Sequence, residues 1–123
     1  MIVDYSSEEQ LNRCLEEIQV FYELDCASSE VPGFNESILR LQRFCANTDI
    51  NELINAIESL DYNPGKSGCT MLCVANYIVQ AIEDKANKVS FINALNNLKL
   101  EKSSNPNVQN IFDYAIGNCN LVL

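Results

Sequence analysis

The residues that could do chemistry in this chain of 123 residues are six cysteines and seventeen carboxylates, since the sequence contains no histidine. Without an imidazole, Ser-His-Asp and Cys-His nucleophilic catalysis and every histidine-containing zinc or haem site are excluded. Paired carboxylates can still perform acid–base catalysis, but Glu8-Glu9 and Glu16-Glu17 would point to different faces of a helix. We therefore expect no catalytic residue, no bound metal and no cofactor, and a protein that is not an enzyme.

A second candidate for chemistry is the turn at residues 63–67, which ends in the Gly-Lys-Ser of a phosphate-binding loop. That motif needs a glycine five residues before Gly65, where Leu60 stands, and a strand before it, where the sequence predicts a helix. We interpret the segment instead as a turn in which Ser67 caps the following helix.

The six cysteines admit three interpretations. Cys14, Cys45 and Cys119 lie on apolar helical stripes, where a reduced thiol behaves as a small buried hydrophobe. Cys69 and Cys73 are one helical turn apart and could share a metal, but two thiolates alone form a weak site. Six cysteines also suit a disulfide framework, and insect odorant-binding proteins share this size, acidity and cysteine number but place their close pairs elsewhere. We expect free thiols.

Apolar residues recur with the 3.6-residue period of an α-helix in six segments, and no segment shows the period of two that is typical of a strand. Capping residues mark three of the starts: Ser6 with Glu9 three residues later, Asp49, and Asn105 followed by a proline. A loop is predicted over residues 27–34. The predicted helices cover residues 6 to about 25, about 35 to 46, 49 to 60, 67 to about 87, 89 to 101, and 105 onward.

The fourth predicted helix, at about residues 67–87, is apolar on most of its sides, which is typical of a helix covered by its neighbours. The sequence therefore predicts an all-α fold, a single compact domain over residues 1–123 with about six amphipathic helices. Two arrangements remain open, an irregular bundle around this central helix or three stacked helical hairpins.

Negative charge is concentrated at the start of the chain. Residues 1–36 hold nine acidic residues and one basic residue, Arg13, and so carry −8 of the net charge of −9. Glu9, Glu16 and Glu23 recur every seven residues, which predicts one exposed stripe opposite the apolar face of the first helix. A second acidic run, between residues 49 and 61, would extend this surface if the third helix packs beside the first.

A charged face that keeps the protein in solution is the simplest interpretation of these acids. Like charges at close spacing repel by a few tenths of a kcal/mol per pair, however, and a basic partner would relieve that repulsion. An acidic surface also argues against direct binding of nucleic acid, which needs basic patches. We predict a partner-binding surface made of acidic residues with two aromatic anchors at its rim: Glu9, Glu16, Glu17, Glu23, Asp25, Glu30, Asp49, Glu52 and Asp61, with Tyr22 and Phe34.

In charge, size and helix content the chain resembles the bacterial immunity proteins that protect cells from colicins and contact-dependent toxins. The resemblance implies an immunity protein or antitoxin that neutralises a basic toxin or nuclease domain. Residues 1–6 lack the features of a signal peptide and no apolar stretch is long enough to span a membrane, which predicts a cytoplasmic protein. The alternatives are a secreted, disulfide-stapled helical carrier of small ligands, or a phage nucleic-acid mimic that inhibits a defence enzyme.

Overall fold

The computed structural model describes residues 5–103 and 105–123, and these form six α-helices around one hydrophobic core, so the prediction of an all-α fold is confirmed. Residues 1–4, which include Asp4 and most of the segment without signal-peptide features, lie outside the described residues. In chain order the helices are α1 (Ser7–Glu23), α2 (Pro32–Ala46), α3 (Ile50–Glu58), α4 (Ser67–Ala81), α5 (Lys85–Lys102) and α6 (Pro106–Leu121).

The three predicted capping residues all precede helices. The side chains of Ser6, Asp49 and Asn105 each accept a hydrogen bond from a backbone N–H two or three residues later, at 2.8 to 3.4 Å. Pro106 then occupies the first turn of α6, where its missing N–H and fixed φ suit the helix. These starts are confirmed because a cap satisfies N–H groups that the helix itself leaves unbonded.

The central helix is shorter than the sequence predicts, because it ends at Ala81 rather than near residue 87. Asp84 caps the next helix by accepting a hydrogen bond from the backbone N–H of Ala86 at 2.8 Å, so α5 begins four residues earlier than predicted. Lys88 reaches back from α5 and donates to the Val79 carbonyl at 2.6 Å, and the same carbonyl accepts a hydrogen bond from the backbone N–H of Ile82 at 3.2 Å.

The start of α2 also differs from the prediction. Pro32 is the first residue of the helix, so the predicted loop over residues 27–34 ends three residues early. Phe34 therefore lies inside α2 and is 4% exposed, with its ring edge-on to Phe21 and to Tyr22 at centroid distances of 5.8 and 6.0 Å. The prediction that Phe34 is an exposed anchor is wrong, since the side chain belongs to the core.

The Gly-Lys-Ser segment forms a tight turn before α4. Gly65 has a positive φ of 81°, and the backbone N–H of Gly68 donates to the carbonyl of Asp61 at 2.8 Å. Ser67 is the first helical residue and its side chain does not cap α4, so the predicted cap is wrong although the turn is confirmed.

The six helices form an irregular bundle with α4 at its centre. Nine of the fifteen residues of α4 are buried, and the helix packs against α1, α2 and α6. α3 packs mainly on α1 and α5 rather than forming a hairpin with α4, which excludes three stacked hairpins. Lys99 of α5 forms an ion pair with Asp113 of α6, which links the last two helices.

Buried thiols and phenols should make the fold sensitive to alkali. Burial raises the pKa of the Cys119 thiol to about 12, and it raises the pKa values of Cys45 and Tyr62 as well. These groups stay protonated in the folded protein but ionise in the unfolded chain near their ordinary values, so unfolding releases protons in this range. These protonated groups stabilise the fold fully below their pKa in the unfolded chain. The stabilisation is lost as the pH rises through their pKa in the folded protein.

We therefore expect the urea midpoint of the reduced protein to fall steadily between about pH 8 and about pH 11. Circular dichroism at 222 nm would follow the unfolding. The Cys119→Ala variant should show a shallower pH dependence than the unsubstituted protein, since one titrating thiol is removed. A midpoint that is constant over this range would contradict the expectation.

Candidate functional site

The predicted stripe on the first helix lies on the outside of the molecule. Glu9, Glu16 and Glu23 are all exposed, on the face of α1 opposite its fully buried leucine and isoleucine side chains. Their seven-residue spacing corresponds to nearly two helical turns, so the three carboxylates follow one line along the helix. The predicted exposure of this stripe is confirmed.

The third helix lies beside the first, as the predicted extension of the acidic surface requires. Ser7 at the start of α1 donates a hydrogen bond to Glu52 in the first turn of α3, with 3.1 Å between Oγ and Oε2. Further along α1, the side-chain amide of Gln19 donates to the backbone carbonyl of Gly65 at 3.1 Å. α1 thus packs against α3, and further along it meets the turn that precedes α4.

Three of the predicted acidic residues are engaged within the fold. Glu17 forms an ion pair with Arg40 of α2 at 2.9 Å, and this hydrogen bond raises the pKa of the guanidinium. Asp49 caps α3, and the Asp61 carboxylate accepts hydrogen bonds from the backbone and side chain of Asn63 at 2.9 and 2.8 Å. These three carboxylates are exposed and have partners within the fold, and their place in a partner-binding surface stays a prediction.

The six remaining acids are exposed and much less engaged. Glu23 accepts a hydrogen bond from Gln19 and Glu52 accepts one from Ser7, each at 3.1 Å. Within residues 5–103 and 105–123, the other four carboxylates make no ion pair and accept no side-chain hydrogen bond. We call this set the acidic surface: Glu9, Glu16, Glu23, Asp25, Glu30 and Glu52.

Two arginines lie beside the acidic surface, on the side where α1 faces α2. An open groove of about 750 Å³ lies along α1 and α2, and Arg13 and Arg40 line it together with acidic residues. The guanidinium of Arg13 stacks on the ring of Tyr5, with its carbon 3.8 Å from the ring centroid. This stacking and the Glu17–Arg40 pair already engage both arginines, and Glu9 and Glu16 of the acidic surface line the same groove.

The C-terminal end of α1 holds a carboxylate in an unusual backbone position. The N–H of Cys26 donates to the Phe21 carbonyl at 2.9 Å and the N–H of Asp25 donates to the Tyr22 carbonyl at 3.2 Å, the two bonds of a Schellman motif. The motif requires a left-handed residue, usually glycine, and Asp25 fills it with a φ of 56°. The chain thus keeps a negative charge at this corner at a cost in backbone strain.

Replacing Asp25 by glycine is expected to raise the free energy of unfolding by about 0.5 to 1 kcal/mol, because glycine adopts the left-handed conformation without a steric penalty. Alanine at this position should lower the free energy of unfolding by a similar amount, because alanine adopts the left-handed conformation less readily than aspartate does. Asp25→Asn is the matched control, which removes the charge and keeps that tolerance. Urea unfolding measures all three, and a stabilising alanine variant would contradict the backbone argument.

An apolar groove adjoins the acidic surface at the C-terminal end of α1. Tyr22 is 39% exposed, and it lines an open apolar groove of about 260 Å³ together with Glu23 and with Cys69 and Cys73 of α4. Burial raises the pKa of Tyr22 to about 12, with further contributions from the nearby Cys73, Tyr77 and Tyr114. We call this groove, after Tyr22, the tyrosine groove, and the residues that line it are Gln19, Tyr22, Glu23, Gly65, Lys66, Cys69, Thr70 and Cys73.

Sequence reasoning found Tyr22 but missed the rest of this groove. The α4 side of the groove is lined by Cys69, Thr70 and Cys73, from successive turns of that helix. These residues lie near Tyr22 because α4 packs on α1, which no spacing within one segment reveals.

The cysteines of the groove are ill suited to redox or metal chemistry. All six cysteines lie within the described residues and are free. The Cys69 thiol donates to the carbonyls of Tyr62 and Asn63, with sulfur–oxygen distances of 3.6 and 3.5 Å, and burial raises the pKa values of Cys69 and Cys73. Thiols that stay protonated near neutral pH are weak nucleophiles and weak metal ligands. No group of three or more potential metal ligands occurs in the described part of the chain.

Comparisons with protein-family models, with curated proteins and with solved structures found no match for this chain. Among the helices of the described residues, none has the length and apolar character needed to cross a membrane. The function proposed below therefore depends on the geometry and charge of the surface itself.

Proposed function

We propose that this protein binds a basic protein through the acidic surface and inhibits it. The observation that carries the proposal is the exposed stripe of Glu9, Glu16 and Glu23, which continues to Asp25 at the end of α1 and lies beside an apolar groove lined by Tyr22. An apolar patch with an aromatic side chain next to a charged rim is the usual anatomy of a protein-binding surface.

The electrostatics favour a partner of opposite charge. None of the six carboxylates makes an ion pair with a described residue, so their mutual repulsion is not relieved within the fold. A basic protein would relieve it, and the same field would attract such a partner over distances of about 10 Å at moderate salt. Steering of this kind supports association rates of about 10⁸–10⁹ M⁻¹s⁻¹ at low salt.

The most concrete form of this function is that of an immunity protein or antitoxin that neutralises a basic toxin, such as a nuclease. A nuclease presents lysine and arginine side chains to the phosphates of its substrate, and an acidic surface seated on them would block access. We place this activity in the bacterial cytoplasm, a reducing compartment in which six free thiols persist.

Inhibition of a nuclease can be tested in extracts of the source. Proteins retained by a cation exchanger would be mixed with increasing amounts of the pure protein, and cleavage of plasmid DNA and of RNA would be followed. We expect cleavage by one basic component to disappear at a stoichiometric amount. Unchanged cleavage at a large excess of the protein would contradict the nuclease form of the proposal.

Two variants with the same change in net charge control this assay. Glu16→Lys with Glu23→Lys alters the acidic surface, whereas Glu83→Lys with Glu101→Lys alters two exposed residues elsewhere. The first double variant should fail to inhibit and the second should inhibit as the unsubstituted protein does. Equal inhibition by both would show that the acidic surface is not the inhibitory one.

A further inference from the structure

The outer face of α1 carries two apolar side chains among its carboxylates. Val20 and Leu24 are 48% and 69% exposed. The backbone N–H of Leu24 donates to the carbonyl of Val20 at 3.0 Å, so the helical path continues from one residue to the other. The two side chains therefore lie one turn apart on the same face of the helix. We call Val20 and Leu24 the aliphatic pair.

The packing of the fold does not account for the aliphatic pair. Leu11, Leu15 and Ile18 of the same helix are fully buried, and Val20 lies on the opposite face. A β-branched residue at an exposed helical position has a lower helix propensity than a glutamate or a lysine, and neither Val20 nor Leu24 belongs to the hydrophobic core. Adjacent exposed aliphatic side chains instead suit a surface that another molecule covers.

Exposed carboxylates adjoin the aliphatic pair. Glu16 lies four residues before Val20 and Glu23 lies three residues after it, and both spacings make side chains neighbours on the surface of a helix. Asp25 follows Leu24 directly, in the left-handed conformation with a φ of 56°. An apolar centre with a charged rim is the arrangement in which the centre supplies most of the affinity and the rim supplies the selectivity.

The charge of this rim selects the molecule that covers the pair. A second copy of this chain docked on the same face would bring its own Glu16 and Glu23 against those of the first, and like charges repel. A membrane surface of anionic lipids would be repelled in the same way. A basic protein with an apolar side chain among its lysines or arginines matches both parts, because its cations face the carboxylates and its apolar side chain covers the aliphatic pair.

We propose that the aliphatic pair is the apolar centre of the acidic surface, and that it binds an apolar stripe of the basic partner that lysines or arginines flank. This inference rests on the proposed function, because it assumes that a basic protein docks on the acidic surface. It adds the two residues that supply most of the affinity, and it specifies a partner surface that is amphipathic rather than uniformly basic.

The test is an NMR titration of the protein labelled with ¹³C in its valine and leucine methyl groups. The probe is a helical peptide of lysine, alanine and leucine, with the leucines on one face. Two control peptides replace its leucines by serine or its lysines by glutamate. We expect the methyl signals of Val20 and Leu24 to shift and those of the buried Leu15 to stay. The lysine–leucine peptide should bind about tenfold more tightly than the lysine–serine peptide, and the glutamate–leucine peptide should not bind.

Variants locate the binding position. Val20→Ser with Leu24→Ser should weaken binding of the lysine–leucine peptide about tenfold, to the affinity of the lysine–serine peptide. The helix content should not change, because both residues are exposed and serine has about the helix propensity of valine. Val89→Ser with Leu100→Ser is the matched control, since it replaces one valine and one leucine that are exposed on α5, and it should leave the affinity unchanged.

Four results would overturn the proposal. Equal affinity for the lysine–leucine and lysine–serine peptides, with weaker binding of both to Glu16→Lys/Glu23→Lys, would remove the aliphatic pair and leave the proposed function standing. Equal binding of the glutamate–leucine and lysine–leucine peptides would contradict both, and so would the failure of both lysine peptides to bind. Val20 and Leu24 signals that move with protein concentration in the absence of peptide would show that a second copy of this chain covers the pair.

Discussion

Reversal of the Glu16 and Glu23 charges to lysine is expected to slow association with the basic partner about 10- to 100-fold at low salt. Both side chains are exposed on α1, so the helix content should not change. Four units of charge are altered on the side that the partner approaches, and the loss should shrink at high salt because the Debye length falls. Stopped-flow or surface plasmon resonance measurements at several salt concentrations would follow the association rate.

Two further variants show whether the association rate depends on net charge or on local charge, and whether it depends on the stripe or on the groove. Glu83→Lys with Glu101→Lys makes the same change in net charge at exposed residues outside the acidic surface, and should slow association much less. Glu9→Lys with Glu16→Lys alters the stripe without changing Glu23, which lines the tyrosine groove. Association that is slowed equally by all three would mean that only the net charge of the protein matters.

Alanine at Gly68 is expected to lower the free energy of unfolding by about 2 to 3 kcal/mol. A Cβ atom there would lie 2.6 Å from the carbonyl oxygen of Asp61 and 2.6 Å from a ring carbon of Tyr62. The ring cannot easily move, because its hydroxyl donates to the Ile57 carbonyl at 2.6 Å and its face packs on Phe112 with 5.2 Å between centroids. The added methyl must therefore displace α4 or the turn before it.

Gly117 is the matched control for this substitution. It also lies in a helix, α6, but a Cβ added there meets no atom within 4 Å. Gly117→Ala should therefore raise the free energy of unfolding by about 0.5 to 1 kcal/mol through helix propensity alone. Urea unfolding of both variants measures the contrast, and a Gly68→Ala variant as stable as Gly117→Ala would contradict the packing between the turn and α4.

The helix starts could be predicted because their signals are local. Ser6, Asp49 and Asn105 cap helices through backbone groups two or three residues away, and the sequence shows both partners. The end of α4 could not be predicted in the same way. Apolar residues continue through Ile82, so the period alone extends the helix, and only Asp84, used as the cap of α5, marks the break.

The sequence predicted only part of the candidate surface, again because only local signals can be read from it. Periodicity tells which face of one helix points to solvent, and the stripe of Glu9, Glu16 and Glu23 follows from that. It does not tell which side chains of other helices lie nearby. The partner of Glu17 is Arg40, 23 residues away, and the tyrosine groove depends on the packing of α4 on α1. Such pairings are set by tertiary packing, which sequence spacing does not encode.

The measurement that tests the central claim most directly is affinity capture of the tagged protein from a lysate of its source, washed at low and then at high salt, with mass spectrometry of the eluates. The account predicts one strongly basic protein in near-stoichiometric amount, retained at low salt by the unsubstituted protein and by Glu83→Lys/Glu101→Lys but not by Glu16→Lys/Glu23→Lys. Retention of no basic protein, or equal retention by all three baits, would contradict the claim that the acidic surface binds a basic partner.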